Sequence, residues 1–166
     1  MAMAWGIFEQ SELFPKANKA EVQRTKFLLS KYKIMTLLMA DYEKNTKELQ
    51  QIGIDGEVAR RIDQDELHAD KTANAVILME KQRWVYEQYQ LRTKMIMRAY
   101  DCILIPDVKK AIRYRYLDGF TLKETCLFFG YDEKSSTVRG WVDAGLVTIA
   151  NNLKLLGFFE FDNEQY

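Results

Sequence analysis

The chain has 166 residues, and its 24 Lys and Arg balance 24 Asp and Glu, so the formal net charge is zero. This balance argues against a histone-like polyanion binder or a cationic membrane peptide, and an apolar fraction of 48% argues against a disordered tail. Only 8 Gly and 2 Pro occur, a scarcity that disfavours a turn-rich sandwich or barrel. The composition therefore predicts an all-α protein.

No segment is typical of a membrane span or a secretion signal. The longest strongly apolar stretches, Ile34–Ala40 and Cys102–Pro106, are far shorter than the roughly 20 residues that span a bilayer. The N-terminal residues lack the basic region of a signal peptide. Cys102 and Cys126 lie in apolar contexts without metal-type spacing, so we interpret them as reduced thiols of the core. We expect a cytoplasmic protein that contacts no membrane and binds no cofactor.

Two long segments, residues 16–52 and 57–105, contain neither glycine nor proline, and each is predicted to be helical. In the first, apolar residues recur at helical spacings: Leu28, Tyr32, Met35, Met39, Tyr42 and Leu49. Gly53 and Gly56 are predicted to break this helix, and Asp55 to cap the next one. The second segment has its own stripe: Ala73, Ile77, Trp84, Leu91 and Met95. Such amphipathic helices favour a homodimer, formed through an antiparallel hairpin or a coiled seam.

The sequence contains no recognisable enzyme signature. Phosphate-loop, dinucleotide-binding, zinc-protease and nucleophile-elbow motifs are all missing from it. The single histidine, His68, lies in the charged stretch Arg60–Asp70, with no second ligand at a suitable spacing, so a surface histidine is expected. We therefore expect that the protein is not an enzyme.

From Pro106 onward the sequence predicts three helical steps. The first, Asp107–Leu117, ends at Gly119, a residue type suited to the position after a helix. The second begins at the capping box Thr121-Leu-Lys-Glu124, is predicted to bury residues including Leu122, Cys126 and Leu127, and is closed by Gly130. The third has an apolar stripe: Val138, Val142, Leu146, Ile149, Leu153 and Leu156.

A short helix, a glycine-containing turn and a longer helix are the parts of a helix-turn-helix. We assign residues 106–157 to such a domain, a three-helix unit that follows long N-terminal helices. Residues 1–105 are predicted to be a helical region for dimerisation or interaction, and residues 158–166 an acidic aromatic tail. Although the chain is neutral, residues 81–115 contain 9 basic and 3 acidic residues, so a basic block leads into this domain.

In a helix-turn-helix, the N-terminal part of the second helix enters the major groove of DNA. The outward residues there are Ser135, Ser136, Thr137, Arg139, Gly140 and Asp143. Arg139 can bind guanine through two hydrogen bonds, while serine and threonine can contact bases or phosphates. Basic side chains complete the predicted DNA-binding set, mainly through phosphate contacts: Lys109, Lys110, Arg113, Lys123 and Lys134.

Under a third of the chain, Ile112–Leu156, resembles region four of bacterial sigma factors. The resemblance rests on R-Y-L-D-G-F-T-L-K-E-T-C at Arg115–Cys126, S-T-V-R at Ser136–Arg139, and a leucine-rich close at Leu153–Gly157. The whole layout is similar to the phage-encoded ArpU/RinA-type regulators of Gram-positive bacteria. That resemblance implies a sequence-specific DNA-binding transcriptional regulator of late phage or prophage genes. It implies double-stranded DNA as a partner and host RNA polymerase as a second candidate partner.

The sequence departs from the family pattern at two points, which keeps other functions open. The turn from Gly130 to Thr137 is longer than the family's, and Gly140 and Gly145 lie inside the third helix. One alternative is a phage DNA-packaging component such as a small terminase subunit, which also joins a helix-turn-helix to oligomerising helices. The other is a helical protein–protein adaptor, in which the same caps and stripes stabilise a plain bundle.

Overall fold

The computed structural model describes residues 13–62 and 66–163, with their side chains except at positions 49, 52–62, 66–70 and 72. All regular structure in this part is helical, which confirms the predicted all-α class. In chain order the helices are α1 (Lys19–Ile62), α2 (Glu66–Asp101), α3 (Pro106–Ile112), α4 (Leu122–Phe128), α5 (Ser136–Leu155) and α6 (Phe158–Asn163). Within these described ranges, no helix has the length and apolar character needed to cross a membrane.

The predicted break at Gly53 and Gly56 is wrong, because α1 continues through both glycines to Ile62. A glycine costs a helix only about 1 kcal/mol relative to alanine, so two of them do not end a helix of this length. Asp55 therefore lies inside α1 and does not cap a following helix. The side chains of Leu49 and His68 lie outside the described part of the chain.

Helix α1 begins at a reciprocal capping pair that the sequence analysis did not identify. The Glu21 amide donates to Asn18 Oδ1, and the Asn18 amide donates to Glu21 Oε1, each at 2.9 Å. Such a pair satisfies two amides that have no partner inside the helix. It explains why α1 begins at Lys19 and not at Lys16.

Contacts within the chain divide it into two compact units. The first contains the described residues up to Lys33 and those from Lys94 onward. There, Asn152 Nδ2 donates to the Ala99 carbonyl at 3.0 Å, and Arg24 Nε lies 2.8 Å from Asp162 Oδ2. The C-terminal helices thus pack with the beginning of α1 and the end of α2. The aromatic tail belongs to the same unit, since Phe158 and Phe159 of α6 are buried.

The second unit, residues 34–93, is an antiparallel hairpin of α1 and α2. Thr93 Oγ1 lies 3.6 Å from Met39 Sδ, and the rings of Tyr42 and Tyr86 stack with centroids 4.5 Å apart. Residues further along α1 therefore contact residues earlier in α2, which shows that the two helices are antiparallel. The predicted α1 stripe faces inward wherever its side chains are described, with Met35 buried and Met39 half-buried.

The predicted stripe of α2 is wrong, because most of its members face outward. Ile77 is 61% exposed, Trp84 is 58% exposed, and Ala73 and Leu91 are also exposed. The inward residues of α2 instead recur at spacings of three and four: Met79, Gln82, Tyr86, Tyr89 and Thr93. This inward face includes a glutamine and a threonine, which a search for apolar residues alone does not find.

Candidate nucleic-acid interface

The N-terminus of α5 presents most of its predicted DNA-reading residues to solvent. Ser135 is the N-cap, and its Oγ accepts a hydrogen bond from the Val138 amide at 3.3 Å. This bond fixes the first turn of the helix. Ser135 is half-buried, and the other members of the predicted set on α5 are exposed: Ser136, Thr137, Arg139, Gly140 and Asp143.

The opposite face of α5 is buried, and this burial sets which residues point outward. The predicted stripe is confirmed from Val138 to Leu153, whereas Leu156 follows the end of the helix and is 37% exposed. Gly145 lies on the buried face, where a Cβ atom would overlap the side chain of Ile112 and lie 3.3 Å from Val108 Cγ1. Gly145 therefore allows close packing of α3 on α5. Gly140, by contrast, has open space where its Cβ would lie.

The predicted capping box of α4 is confirmed and holds the short helix in place. The Glu124 amide donates to Thr121 Oγ1 at 3.2 Å, and the Thr121 amide donates to Glu124 Oε2 at 2.8 Å. Cys126 is fully buried as expected, whereas the prediction of a core thiol is wrong for Cys102, which is exposed at the end of α2. Leu127 is half exposed, contrary to the prediction, and its neighbour Thr125 is buried. Thr125 can be buried because its hydroxyl donates to the Thr121 carbonyl at 2.9 Å.

The longer turn between α4 and α5 is an ordered structure. Gly130 has a φ of +76°, its amide donates to the Leu127 carbonyl, and the Tyr131 amide donates to the Cys126 carbonyl. This is the Schellman arrangement that ends many helices. A second turn follows, closed by the Ser135 amide donating to the Asp132 carbonyl at 2.9 Å. The extra residues thus form a turn that leads directly into the cap of α5.

The predicted phosphate-binding cations differ in how strongly they are engaged within the protein. Lys123 Nζ lies 3.0 Å from Glu133 Oε2, and Arg113 Nε lies 3.8 Å from Asp118 Oδ2. Lys109 Nζ lies 5.1 Å from the Tyr100 ring centroid, so this side chain extends toward the end of α2. By contrast, Lys134 and Arg139 are exposed and form no ion pair or side-chain hydrogen bond with the described residues.

An aromatic cluster borders this surface, and the sequence analysis did not predict it. Contacts with ring centroids 4.8 to 5.9 Å apart link six rings: Phe120, Phe128, Tyr114, Phe129, Trp141 and Tyr131. Lys110 Nζ lies 5.6 Å from the Phe129 centroid, within cation–π range. The cluster therefore connects α3, through the α4–α5 turn, to the first half of α5. The density of aromatic residues between positions 114 and 141 is the signal that could have indicated it.

One member of the predicted DNA-reading set, Asp143, is acidic and influences a neighbouring tyrosine. Burial raises the pKa of Tyr116, Arg115 opposes this effect, and the carboxylate of Asp143 raises that pKa further. Asp143 is therefore close enough to the π-helical turn Arg113–Leu117 to act on it electrostatically. A carboxylate at this position disfavours phosphate. The exposed cations Lys134 and Arg139 both precede Asp143 in the chain.

Comparison of the chain with family models, curated proteins and solved structures found no match. Among the described residues, no group of three or more His, Cys, Asp or Glu side chains is placed to hold a metal ion.

Proposed function

We propose that the protein is a sequence-specific DNA-binding transcriptional regulator of the ArpU/RinA type, acting on late phage or prophage genes. The observation that carries the proposal is the exposed Arg139, which has no partner among the described residues and lies one turn from a capped helix N-terminus. An arginine at this position of a groove-entering helix can bind the O6 and N7 atoms of guanine. In this proposal Arg139 reads a base.

Phosphate contacts would come from the same end of α5. The first amides of a helix attract anions, because they point outward without partners and carry the positive end of the helix dipole. Lys134 precedes the cap and is exposed, and the hydroxyl groups of Ser136 and Thr137 are exposed beside it. Lys110 and Lys123 would supply further cations from α3 and α4. Such contacts position the protein on DNA without reading its sequence.

A homodimer would place two such helices on an inverted repeat. Half-sites separated by about one helical turn of DNA suit paired recognition helices. Since the chain has no net charge, we expect weak non-specific binding and a strong dependence on the paired site. Host RNA polymerase is a further candidate partner.

The test is binding of the purified chain to the DNA upstream of its own gene, followed by fluorescence anisotropy at moderate salt. We expect Arg139→Ala to weaken specific binding by about 1–3 kcal/mol. Arg83→Ala is the matched control, since Arg83 is exposed in the hairpin and pairs with Glu87, its neighbour one turn along α2. Absence of specific binding by the wild type, or equal losses in both variants, would contradict the proposal.

A DNA-packaging component is the second candidate, and the apolar outer surface of the hairpin favours it. Trp84 and Ile77 are more than half exposed, and exposed apolar surface is typical of chains that assemble further. Light scattering of the purified chain separates the two functions. A mass well above that of a dimer would favour a packaging ring, and a dimer would favour the regulator.

A further inference from the structure

One edge of the α1–α2 hairpin carries an apolar groove of about 510 Å³. Its floor is formed by seam tyrosines, including Tyr42, Tyr86 and Tyr89. Apolar side chains stand on its walls, with Leu38 44% exposed and Leu78 49% exposed. All of these residues lie within the second compact unit. The groove therefore exposes apolar surface beside the seam that already holds the hairpin together.

The other edge of the hairpin differs in size and chemistry. Its groove is about 160 Å³. Most of the residues that line it have polar or charged side chains: Thr46, Gln50, Glu80, Gln82 and Arg83. A two-helix hairpin that functioned alone in water would have polar residues along both edges. The apolar edge is therefore the side suited to a further helical layer.

The charges around the large groove are complementary to one another across its two walls. Asp41 and Glu48 lie on the α1 wall, and Lys81 lies on the α2 wall. None of the three forms an ion pair with a described residue of the same chain. In a two-fold dimer the same patch contacts itself, so the α1 wall of one copy can lie against the α2 wall of the other. That arrangement brings acids opposite a base at both symmetric positions.

We propose that this groove is the homodimer contact, occupied by the hairpin of a second copy to form an antiparallel four-helix bundle. Leu38, Leu78 and Val85 of each copy cover the tyrosine floor of the other. Asp41 and Glu48 face the partner copy's lysine at position 81. The inference rests on the homodimer named under the proposed function and does not depend on DNA binding.

The first test compares two adjacent leucines in the full-length chain by sedimentation equilibrium. Leu38 lines the groove, whereas Leu37 is 55% exposed and does not line it. We expect a dimeric wild type, at least a tenfold higher dimer dissociation constant for Leu38→Glu, and a clearly smaller increase for Leu37→Glu, since position 37 lies one turn before Asp41 but outside the groove. Circular dichroism, with unchanged helix content at the temperature of the sedimentation run, checks that both variants fold.

The second test reverses charge and then restores it. Lys81→Glu places like charges across the interface, so we expect at least tenfold weaker dimerisation. Combining it with Asp41→Lys and Glu48→Lys restores opposite charges in both copies, so dimerisation should return toward the wild-type value. The proposal would be overturned if the dimer dissociation constant of the triple variant were as high as that of Lys81→Glu.

Two other outcomes would also overturn it. One is a monomeric wild type, and the other is a dimer lost in Trp84→Glu but kept in Leu38→Glu, which would move the contact to the outer ridge of α2. DNA binding is measured separately on the same samples. A monomer that binds its site refutes the groove contact alone, whereas a dimer without specific binding refutes the proposed function alone.

Discussion

The two compact units differ in how much apolar side chain they bury completely: both expose large apolar residues, but among the described residues an extensive buried core is found in the first unit, and the hairpin contributes Met35. In the unit that contains α3 to α6, Leu153 and Phe158 are almost completely buried, at 0% and 1% exposure. In the hairpin, Trp84 and Ile77 are 58% and 61% exposed, although they lie on a regular helix. The difference reflects the number of layers, because a helix with one neighbour can bury only one stripe, while α5 has neighbours in α3, α4 and α6.

This contrast shows how exposed apolar residues should be interpreted here. Single apolar residues on a surface are ordinary, but the hairpin exposes them along an entire edge and along the outer ridge of α2. The C-terminal unit has what it needs for a closed core within its own chain. The hairpin does not, and its stability should therefore depend on association.

The largest expected effect is the difference in unfolding free energy between two truncations, one of a large side chain in each unit. Phe158→Ala removes a fully buried ring and should lower the free energy of unfolding by about 3–5 kcal/mol. Trp84→Ala removes an even larger ring from an exposed position and should change it by less than about 0.5 kcal/mol. Urea unfolding followed by circular dichroism measures both.

A comparable loss in the two variants would mean that Trp84 is buried in solution by an assembly. Sedimentation equilibrium identifies that case, since truncating a ring buried in a contact between copies would also raise the dissociation constant of the assembly in Trp84→Ala.

Local signals allowed most of the C-terminal helices to be predicted from the sequence. The box at Thr121 and Glu124, the glycine at 130 and the serine cap at 135 act within a few residues of themselves, so spacing alone indicates them. The stripe of α5 was equally visible, because its inward residues are all apolar.

The parts that could not be predicted depend on contacts between distant residues. The seam of α2 includes Gln82 and Thr93, whose inward orientation is set by α1 and not by their own hydropathy. The aromatic cluster joins Tyr114 to Phe128 and Phe129 across a turn. That Arg139 has no ion-pair partner in the described part of the chain likewise depends on the positions of the surrounding acids. Residue type and helical periodicity are enough to locate a candidate site in the sequence. Predicting the ion pairs of that site requires the folded structure.

A smaller effect is expected from the two glycines of α5, which divide the helix into a packed face and a free face. Gly145→Ala places a methyl group against Ile112 and should destabilise the protein by about 1–3 kcal/mol. Gly140→Ala meets open space and should stabilise it by up to about 1 kcal/mol through helix propensity. Thermal unfolding of the two variants should therefore shift in opposite directions. An equal gain in both would show that α3 does not pack on α5 at Gly145.

The smallest expected effect is a pH dependence confined to the C-terminal unit. Burial alone would raise the pKa of Glu21, but the Asn18 amide and the ammonium of Lys154, 2.8 Å away, together lower it below the ordinary 4.5. Because the folded state favours the ionised carboxylate, this contribution to stability is present above pH 4.5 and is lost as the pH falls through the lowered value. Glu21→Gln removes the titrating group, so the acid-induced loss of stability below pH 4.5 should be shallower in this variant.

Glu43→Gln is the matched control, because Glu43 belongs to the hairpin and its Oε1 accepts a hydrogen bond from the exposed Tyr86 hydroxyl. Urea unfolding between pH 3 and 6 measures the slopes. If Glu43→Gln flattens the curve as much as Glu21→Gln does, the acid sensitivity is not a property of the unit in which α1 meets α5.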